Sequence, residues 1–427
     1  MEIPNIQLVL LLALVAAIFI GFKFNVNTGL VSIAFAFVFG FFVFEPSAKD
    51  PEVMIALSSK AAKSSTLIKG WPSNLFFILL GMTLLFSIAK VNDTLELLAR
   101  KMAYLSKGRK KLLPLIFFIL SLGLAAIGPG NIAVCALVLP IAMALSKEEN
   151  INPLLMAGVT IAGANAGGLS PLSPTGIIAI NLSREIGYEI GNYVFIQTII
   201  AQIVLAVVLY IALGGLKLKN DSDSGMQKPQ PFNKNQKITL AVITGVVLLI
   251  VVVEWNVGFA AFLGSLILLL LKVSDEKKSI AGIPWSTLIL VCGVGVLVNV
   301  IKIGGGIDLL TDTLAKFMNE KTSGAVITLM GGMMSAVSSA SGVVMPTLIP
   351  TVPGLVETLG VDGKMLITGV VLGAHFVTNS PLSTLGALAM ANADESIDRA
   401  KFFNKLLALG FGGVLFGALL VFIGIVG

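Results

Sequence analysis

The chain has 427 residues, of which 56% are hydrophobic and only 12% are charged. Soluble globular proteins carry about a quarter charged residues, so this composition excludes a soluble domain and indicates a polytopic membrane protein. The formal net charge of +6 is what lysine-rich and arginine-rich loops on one side of a membrane produce, and it requires no nucleic-acid partner.

Apolar runs of about 20 residues predict membrane-spanning helices, so the fold class is all-α and integral to a membrane. The first run lacks a basic leader and a cleavage site, and we interpret it as a retained helix, not a signal peptide. Ten spans are predicted, over residues 6–22, 28–46, 73–91, 153–183, 190–215, 237–255, 257–272, 284–302, 364–393 and 400–425.

Two pairs of shorter apolar arms do not fit a spanning helix. The first pair flanks Gly128-Pro129-Gly130-Asn131 in residues 112–147, and the second flanks Ser338-Ser339-Ala340-Ser341 in residues 322–358. A polar tip between short arms indicates a re-entrant hairpin, whose non-helical tip is tolerated only inside protein or beside water. Amphipathic segments at 93–106 and 306–318 precede the hairpins. We expect them to lie along the membrane surface or to extend the preceding span.

Two of the predicted spans contain a helix break. GGLSPLSPTG at 167–176 interrupts the span 153–183, and VTNSPLSTLG at 377–386 interrupts the span 364–393. A break frees backbone carbonyls at one half-helix end and N–H groups at the other, and in hydrocarbon each unsatisfied group costs several kcal/mol. Carbonyls and hydroxyls coordinate a hard cation such as sodium, whereas helix N-termini hold anions.

The chain repeats itself around a polar linker at 217–236. Each half, 1–216 and 237–427, contains five spans and one hairpin, and the odd number of spans inverts the second half relative to the first. Gly81 and Lys90 match Gly293 and Lys302 at an offset of 212. At an offset of 210, Asn131 and Pro140 match Ser341 and Pro350, and the segment Gly163–Gly176 matches Gly373–Gly386. Such inverted repeats are typical of secondary transporters.

The basic residues predict an orientation with the N-terminus outside, in a cytoplasmic (inner) membrane. In that orientation most lysines and arginines fall on the cytoplasmic side, including Lys23, Lys90, Arg100–Lys111, Lys147 and the linker. The first hairpin would then open from the cytoplasm and the second from outside.

The breaks and the hairpin tips predict two polar pockets near the membrane midplane. The predicted substrate-binding residues are Asn131, Ser173, Thr175, Ser341, His375, Asn379, Ser383 and Thr384. The predicted sodium ligands are Gly130, Asn131, Ser170, Ser173, Ser338, Ser341, Thr378 and Ser380. Because neither the tips nor the breaks contain Lys, Arg, Asp or Glu, a carboxylate would be held by amides, hydroxyls and helix N-termini. A co-bound cation, Na⁺ or H⁺, would balance its charge. No catalytic residue or other cofactor is predicted.

Two segments resemble the ion transporter superfamily, specifically the malonate/dicarboxylate carriers (MatC-like) and the related divalent anion:sodium symporters. They are GPGNIAVCALVLPIAMAL and LLMAGVTIAGANAGGLSPLSPTG. The resemblance implies a scaffold domain, a mobile transport domain with two hairpins, a homodimer and elevator-like alternating access. It also implies that a Ser-Asn-Thr motif at each tip binds sodium and carboxylate. Here only Asn131 keeps that asparagine, and the second tip reads Ser339-Ala340-Ser341.

Two other functions remain open at this stage. A cation/proton antiporter on the same scaffold would need a titratable acid at the midplane, and neither break contains one. A rhomboid-like intramembrane serine protease would use Ser341 and His375 as a dyad, which requires the two side chains within hydrogen-bond reach. The repeat favours a transporter of a small carboxylate, such as malonate or succinate, because it places Asn131 and Asn165 at the same two positions in the first half.

Overall fold

A computed structural model describes residues 5–43, 67–104, 109–218 and 228–427, and within these ranges the chain forms helices and no β-strand. The α-helices are Ile6–Phe24, Thr28–Val43, Ser73–Val91, Thr94–Tyr104, Leu113–Ala126, Gly130–Glu148, Pro153–Gly168, Pro174–Glu185, Tyr193–Ala212, Lys234–Val252, Val257–Leu270, Glu276–Ala281, Trp285–Ile303, Gly306–Ala315, Ser323–Ala336, Met345–Leu348, Val352–Leu359, Gly363–Phe376, Thr384–Ala391 and Arg399–Phe422. A π-helical turn spans Ala340–Val344, and short 3₁₀ turns occur at Lys110–Leu112, Gly215–Lys217, Ile349–Thr351 and Val377–Asn379.

Nine helices in the described ranges are long and apolar enough to cross a membrane, so the chain is a multi-pass membrane protein. Seven of them coincide with predicted spans. The other two are Gly130–Glu148 and Ala340–Leu359, which the sequence assigns to re-entrant arms. The remaining three predicted spans are not among the nine. Two of them, 28–46 and 257–272, contain the shorter apolar helices Thr28–Gly40 and Val257–Leu270. The third, 153–183, is divided into two helices. The total of ten spans and the re-entrant course stay predictions.

The first hairpin comprises Leu113–Ala126 and Gly130–Glu148, joined by a three-residue turn. Its turn depends on glycine, because Gly128 and Gly130 have φ angles of +139° and +82°, which side chains with a Cβ rarely adopt. The second hairpin comprises Ser323–Ala336 and the run Ala340–Leu359. Its tip is tightened by Ser339, whose hydroxyl accepts a hydrogen bond from the Gly342 amide at 3.1 Å.

Both broken helices occur where the sequence predicts them. The first consists of Pro153–Gly168 and Pro174–Glu185, and the second consists of Gly363–Phe376 and Thr384–Ala391. Each break contains the same backbone hydrogen bond, at positions that lie 210 residues apart. The Ser173 amide donates to the Ser170 carbonyl at 2.9 Å, and the Ser383 amide donates to the Ser380 carbonyl at 2.9 Å.

The first arm of each hairpin packs directly on the first part of the broken helix that follows it. A Cβ at Gly163 would overlap the Phe118 carbonyl oxygen, and a Cβ at Gly373 would overlap the Thr328 carbonyl oxygen. Both members of the second pair lie 210 residues after those of the first, so matched positions make matched contacts. Glycine allows these backbones to approach closely, as small residues do between membrane helices.

Helices of the two predicted halves also pack across each other. Thr28–Val43 lies against Trp285–Ile303, where a Cβ at Gly29 would overlap the Ile289 carbonyl. Val257–Leu270 lies against Ser73–Val91, where Gly81 faces the Gly258 carbonyl. The helices outside the hairpins and breaks therefore interlock the two halves.

The predicted linker is shorter at its C-terminal end than the sequence suggests. The next helix begins at Lys234, three residues earlier than predicted, because Asn233 and Gln236 form a reciprocal capping box. Residues 219–227 of the linker lie outside the described ranges. The amphipathic segments form Thr94–Tyr104 and Gly306–Ala315 as separate helices, which corrects the alternative that they extend the preceding spans.

Candidate functional site

A buried chain of hydrogen bonds connects the first hairpin tip to both broken helices. The Asn131 amide nitrogen donates to Asn165 Oδ1 at 3.0 Å. The Asn165 amide nitrogen in turn donates to Thr378 Oγ1 at 2.8 Å and to the His375 carbonyl at 3.1 Å. Thr378 donates to the same carbonyl at 2.7 Å. Side chains from both predicted halves therefore form one network.

A cavity of about 410 Å³ lies beside this network. It is bounded by the first hairpin tip, the second hairpin tip and both broken helices. Eight of the predicted site residues line it, namely Asn131, Thr175, Ser338, Ser341, His375, Thr378, Ser383 and Thr384. The structure therefore brings together in one cavity residues that the sequence assigned to two symmetry-related pockets.

A second cavity of about 230 Å³ adjoins the first. The two share Asn131, Ile132, Thr175 and Ser341, so the tip of the first hairpin lies between them. Gly130, a predicted sodium ligand, lines the second cavity only. The helix Ser73–Val91 contributes one face to it, through Leu79, Thr83, Phe86, Ser87 and Lys90.

Four predicted site residues line neither cavity. Ser170 and Ser380 accept hydrogen bonds from the amides of Leu172 and Leu382, each at 3.2 Å, so their hydroxyls hold the breaks in shape. The side chains of Ser173 and Asn379 are buried and have no hydrogen-bond partner among the described residues. A buried amide without partners is costly, so Asn379 is a position where a ligand would complete the hydrogen bonding.

His375 is buried in the second broken helix at the wall of the larger cavity. Its Nδ1 lies 2.7 Å from the Val371 carbonyl one turn earlier, which assigns the Nδ1 proton to that bond. Nε2 is then the nitrogen that can exchange a proton. Ser341 lines the same cavity, but no hydrogen bond joins it to His375 among the described residues.

Several cavity residues were missed by the sequence reasoning. They are Asn25, Asn27 and Thr28 after the first helix, Ser286 at the start of Trp285–Ile303, and Ser335 in the second hairpin. The Asn27 amide donates to Ser286 Oγ at 3.0 Å and thereby joins the two predicted halves at the rim. The polar run at 25–28 was the available signal, but its place at the cavity depends on tertiary packing.

The sequence of the N-terminal part matches a known family. Residues 4–168 match the family described as the dicarboxylate carrier protein MatC N-terminus. Over these residues the chain is similar to that family. The match confirms the predicted resemblance over these residues, and it indicates a transporter and not an enzyme. No curated protein sequence matches the chain.

The fold of the chain is similar to that of a solved transporter. The crystal structure of the Alcanivorax borkumensis YdaH transporter superposes with a TM-score of 0.61, over 99% of this chain and 98% of that chain. The sequences are 14% identical, so this likeness concerns the fold.

Both cavities reach the same face of the molecule. Their outer residues include Asn25, Ser286 and Lys90, all of which are exposed. Hydrogen bonds connect the chain on this face. The Ser87 hydroxyl, near the end of Ser73–Val91, donates to the Ser279 carbonyl at 2.6 Å, and the Asn27 amide donates to the Ser286 hydroxyl. Asn25, Ser286 and Lys90 therefore place one end of each cavity on the side that carries the 25–28 turn.

Proposed function

We propose that the protein is a carrier that moves a small dicarboxylate, such as malonate or succinate, together with Na⁺ or H⁺ across the cytoplasmic membrane. The observation that carries this proposal is the cavity itself, which is lined by amides and hydroxyls between two hairpin tips and two helix breaks. Among its described lining residues there is no Asp or Glu, as expected for a site that holds an anion. The match of residues 4–168 to a dicarboxylate carrier family supports the substrate class.

The cavity offers neutral hydrogen-bond donors for a carboxylate. The Asn131 amide and the hydroxyls of Thr175, Ser341, Ser383 and Thr384 all line it. Thr384 also begins a helix, whose first N–H groups have no partner within the helix and attract negative charge. These groups hold an anion in place without a fixed positive charge, which leaves a co-transported cation to balance it.

The breaks supply the proposed cation ligands. Carbonyl oxygens of Leu169 and Ser170 in the first break pack against Gly176, and those of Asn379 and Ser380 pack against Gly386. Sodium prefers such oxygen ligands. The unpartnered Oδ1 of Asn379 supports sodium at the second break. If protons are the coupling ion instead, His375 is the residue that would carry them.

The proposed transport cycle is an elevator-like alternating access by a homodimer. Hairpins and broken helices form the mobile unit, and the remaining interlocked helices form the scaffold. With the predicted orientation, N-terminus outside, the 25–28 turn and Lys90 are cytoplasmic. In that orientation the ends of the two cavities near Asn25 and Lys90 face the cytoplasm, as an inward-open state requires.

The proposal is tested by uptake into proteoliposomes of the purified protein. Labelled malonate and succinate are compared under an inward sodium gradient, a proton gradient and no gradient. We expect concentrative uptake under one of the two gradients. Sodium-driven uptake would support the sites at the breaks, and proton-driven uptake would direct attention to His375. The absence of uptake of both acids under every gradient would contradict the proposed substrate class.

The first variant to test is Asn131→Ala. Its amide lines both cavities and anchors the hydrogen-bond network, so we expect uptake to fall by at least about tenfold, the effect of about 1.4 kcal/mol. Asn392→Ala is the matched control, because its amide bonds only the Leu388 carbonyl of its own helix. Full activity of Asn131→Ala in protein that folds normally would remove Asn131 from the site.

A second variant, Ser383→Ala, tests the link between the second break and the coupling ion. Ser383 occupies the N-cap position of the helix Thr384–Ala391 without a capping hydrogen bond from its side chain, and it lines the cavity. We expect the cation concentration for half-maximal uptake to rise, while expression and thermal stability stay close to wild type. An unchanged cation response would exclude the Ser383 hydroxyl as a ligand.

A further inference from the structure

Lys90 is the only charged side chain among the described residues that line the two cavities. It lies in the last turn of Ser73–Val91 and is exposed. No carboxylate in the described part of the chain forms an ion pair with it. An unpaired ammonium at the edge of a polar cavity produces a positive potential there, because low-dielectric walls focus the field toward the opening.

The second cavity leads from Lys90 to the centre of the site. Along one face of its helix, Ser87, Thr83 and Leu79 follow Lys90 toward the interior, and all four line this cavity. At the inner end the cavity reaches Asn131, Thr175 and Ser341, which it shares with the larger cavity. An anion that enters beside Lys90 therefore reaches the proposed carboxylate ligands without crossing an acidic side chain.

We propose that Lys90 is a specificity-determining residue that attracts the dianionic substrate at the open mouth and favours dianions over monoanions. This inference rests on the proposed transport of dicarboxylates and adds the residue that supplies the charge selection. Lys90 acts on the encounter and the initial binding, because its ammonium lies at the mouth while the hydroxyls and the Asn131 amide lie deeper. Its removal should therefore change KM more than kcat.

The chain provides a closely matched control in Lys302. It lies 212 residues after Lys90, in the last turn of Trp285–Ile303, and it is also exposed. Any favourable interaction of a lysine with a helix C-terminus is common to both positions. Lys302, however, lines neither cavity. It lies instead close enough to the Glu185 carboxylate for electrostatic attraction.

The test compares Lys90→Gln, Lys90→Arg and Lys302→Gln in right-side-out and inside-out vesicles that contain the full chain. For Lys90→Gln we expect the KM for succinate to rise about fivefold or more on the face that carries Lys90, with kcat within about twofold of wild type. The KM of the wild type should also rise with ionic strength more steeply than that of Lys90→Gln. Lys90→Arg should keep the wild-type KM, and Lys302→Gln should leave the KM on that face unchanged.

An unchanged KM in Lys90→Gln, or an equal rise on both faces, would overturn the assignment of Lys90. A rise of the same size in Lys302→Gln on the Lys90 face would overturn it as well. A wild-type protein that transports no dicarboxylate would instead overturn the proposed function, so the two failures are distinguishable.

Discussion

At the scale of single residues, Asn165 determines how the site is assembled. Its amide oxygen accepts from Asn131, and its amide nitrogen donates to Thr378 and to the His375 carbonyl. Asn165 itself is fully buried and lines neither cavity. It therefore connects the tip of the first hairpin to the second break and positions the residues that line the cavity beside it.

Asn379 provides a test of sodium binding at the same scale. If sodium is coordinated by Oδ1 of this buried amide, NaCl should raise the melting temperature of the purified wild-type protein relative to choline chloride. Binding to the folded state alone stabilises by about 2.7 kcal/mol at one hundred times the dissociation constant. Asn379→Ala should lose this increase. It should be neutral or slightly stabilising without sodium, because it removes an unpartnered amide.

The matched control for this experiment is Asn319→Ala, which changes an exposed amide that caps a turn between helices. It should keep the full response to sodium. A sodium response that persists in Asn379→Ala would contradict a ligand role for that side chain.

At the scale of helices, close backbone packing couples each hairpin to its broken helix. The contacts of Gly163 with Phe118 and of Gly373 with Thr328 occur at equivalent positions of the two halves. In both contacts the neighbour is a carbonyl group of the backbone, which has no rotamer to change. The hairpin arm and the broken helix therefore pack as one unit, as the proposed mobile unit requires.

Alanine at these glycines should separate the packed helices. We expect Gly163→Ala and Gly373→Ala each to lose about 1–3 kcal/mol of stability, as overpacking substitutions do. Gly123→Ala and Gly412→Ala are the controls, because an added Cβ at either position meets nothing within 4 Å. The measurement is the melting temperature in detergent. Equal melting temperatures for all four variants would show that the contacts do not constrain the helices.

At the scale of the whole molecule, the predicted orientation places the two ends of Trp285–Ile303 on opposite sides of the membrane. This helix has 19 residues and is therefore about 28 Å long. Its first residues contact the 25–28 turn, and its last residues precede Gly306–Ala315. The orientation predicts that the 25–28 turn is cytoplasmic and that the segment after residue 315 is outside.

Cysteine labelling tests this orientation. Both native thiols, Cys135 and Cys292, are buried and can be replaced by alanine to remove the background. Asn25→Cys should then react with a membrane-impermeant maleimide in inside-out vesicles only, and Asn319→Cys in right-side-out vesicles only. Asn25 and Asn319 are both exposed, so each variant is the control for the other. The reverse pattern would invert the orientation, and reaction of both from one side would contradict the span count.

Much of the fold was predictable because membrane helices follow from local composition. Apolar runs located the helices, and the breaks at 167–176 and 377–386 were visible in their proline, glycine and serine content. Boundaries were less certain where a cap decides them, as at Asn233, where a capping box starts the helix three residues early. The two predicted pockets are not separate, because residues of both line the larger cavity, which the second cavity adjoins at Asn131, Thr175 and Ser341.

The sequence by itself determined the membrane class, the helix breaks, the matched segments and most of the polar residues that line the cavity. These features are local, since they depend on hydropathy, on the backbone limits of proline and glycine, and on residue spacing. Tertiary structure alone decided which of those residues meet. It buried Ser170 and Ser380 as supports of the breaks, brought the 25–28 turn to the rim and turned the Lys90 face of its helix toward the site. The reason is that contacts between residues far apart in the chain depend on helix packing, which no single segment encodes.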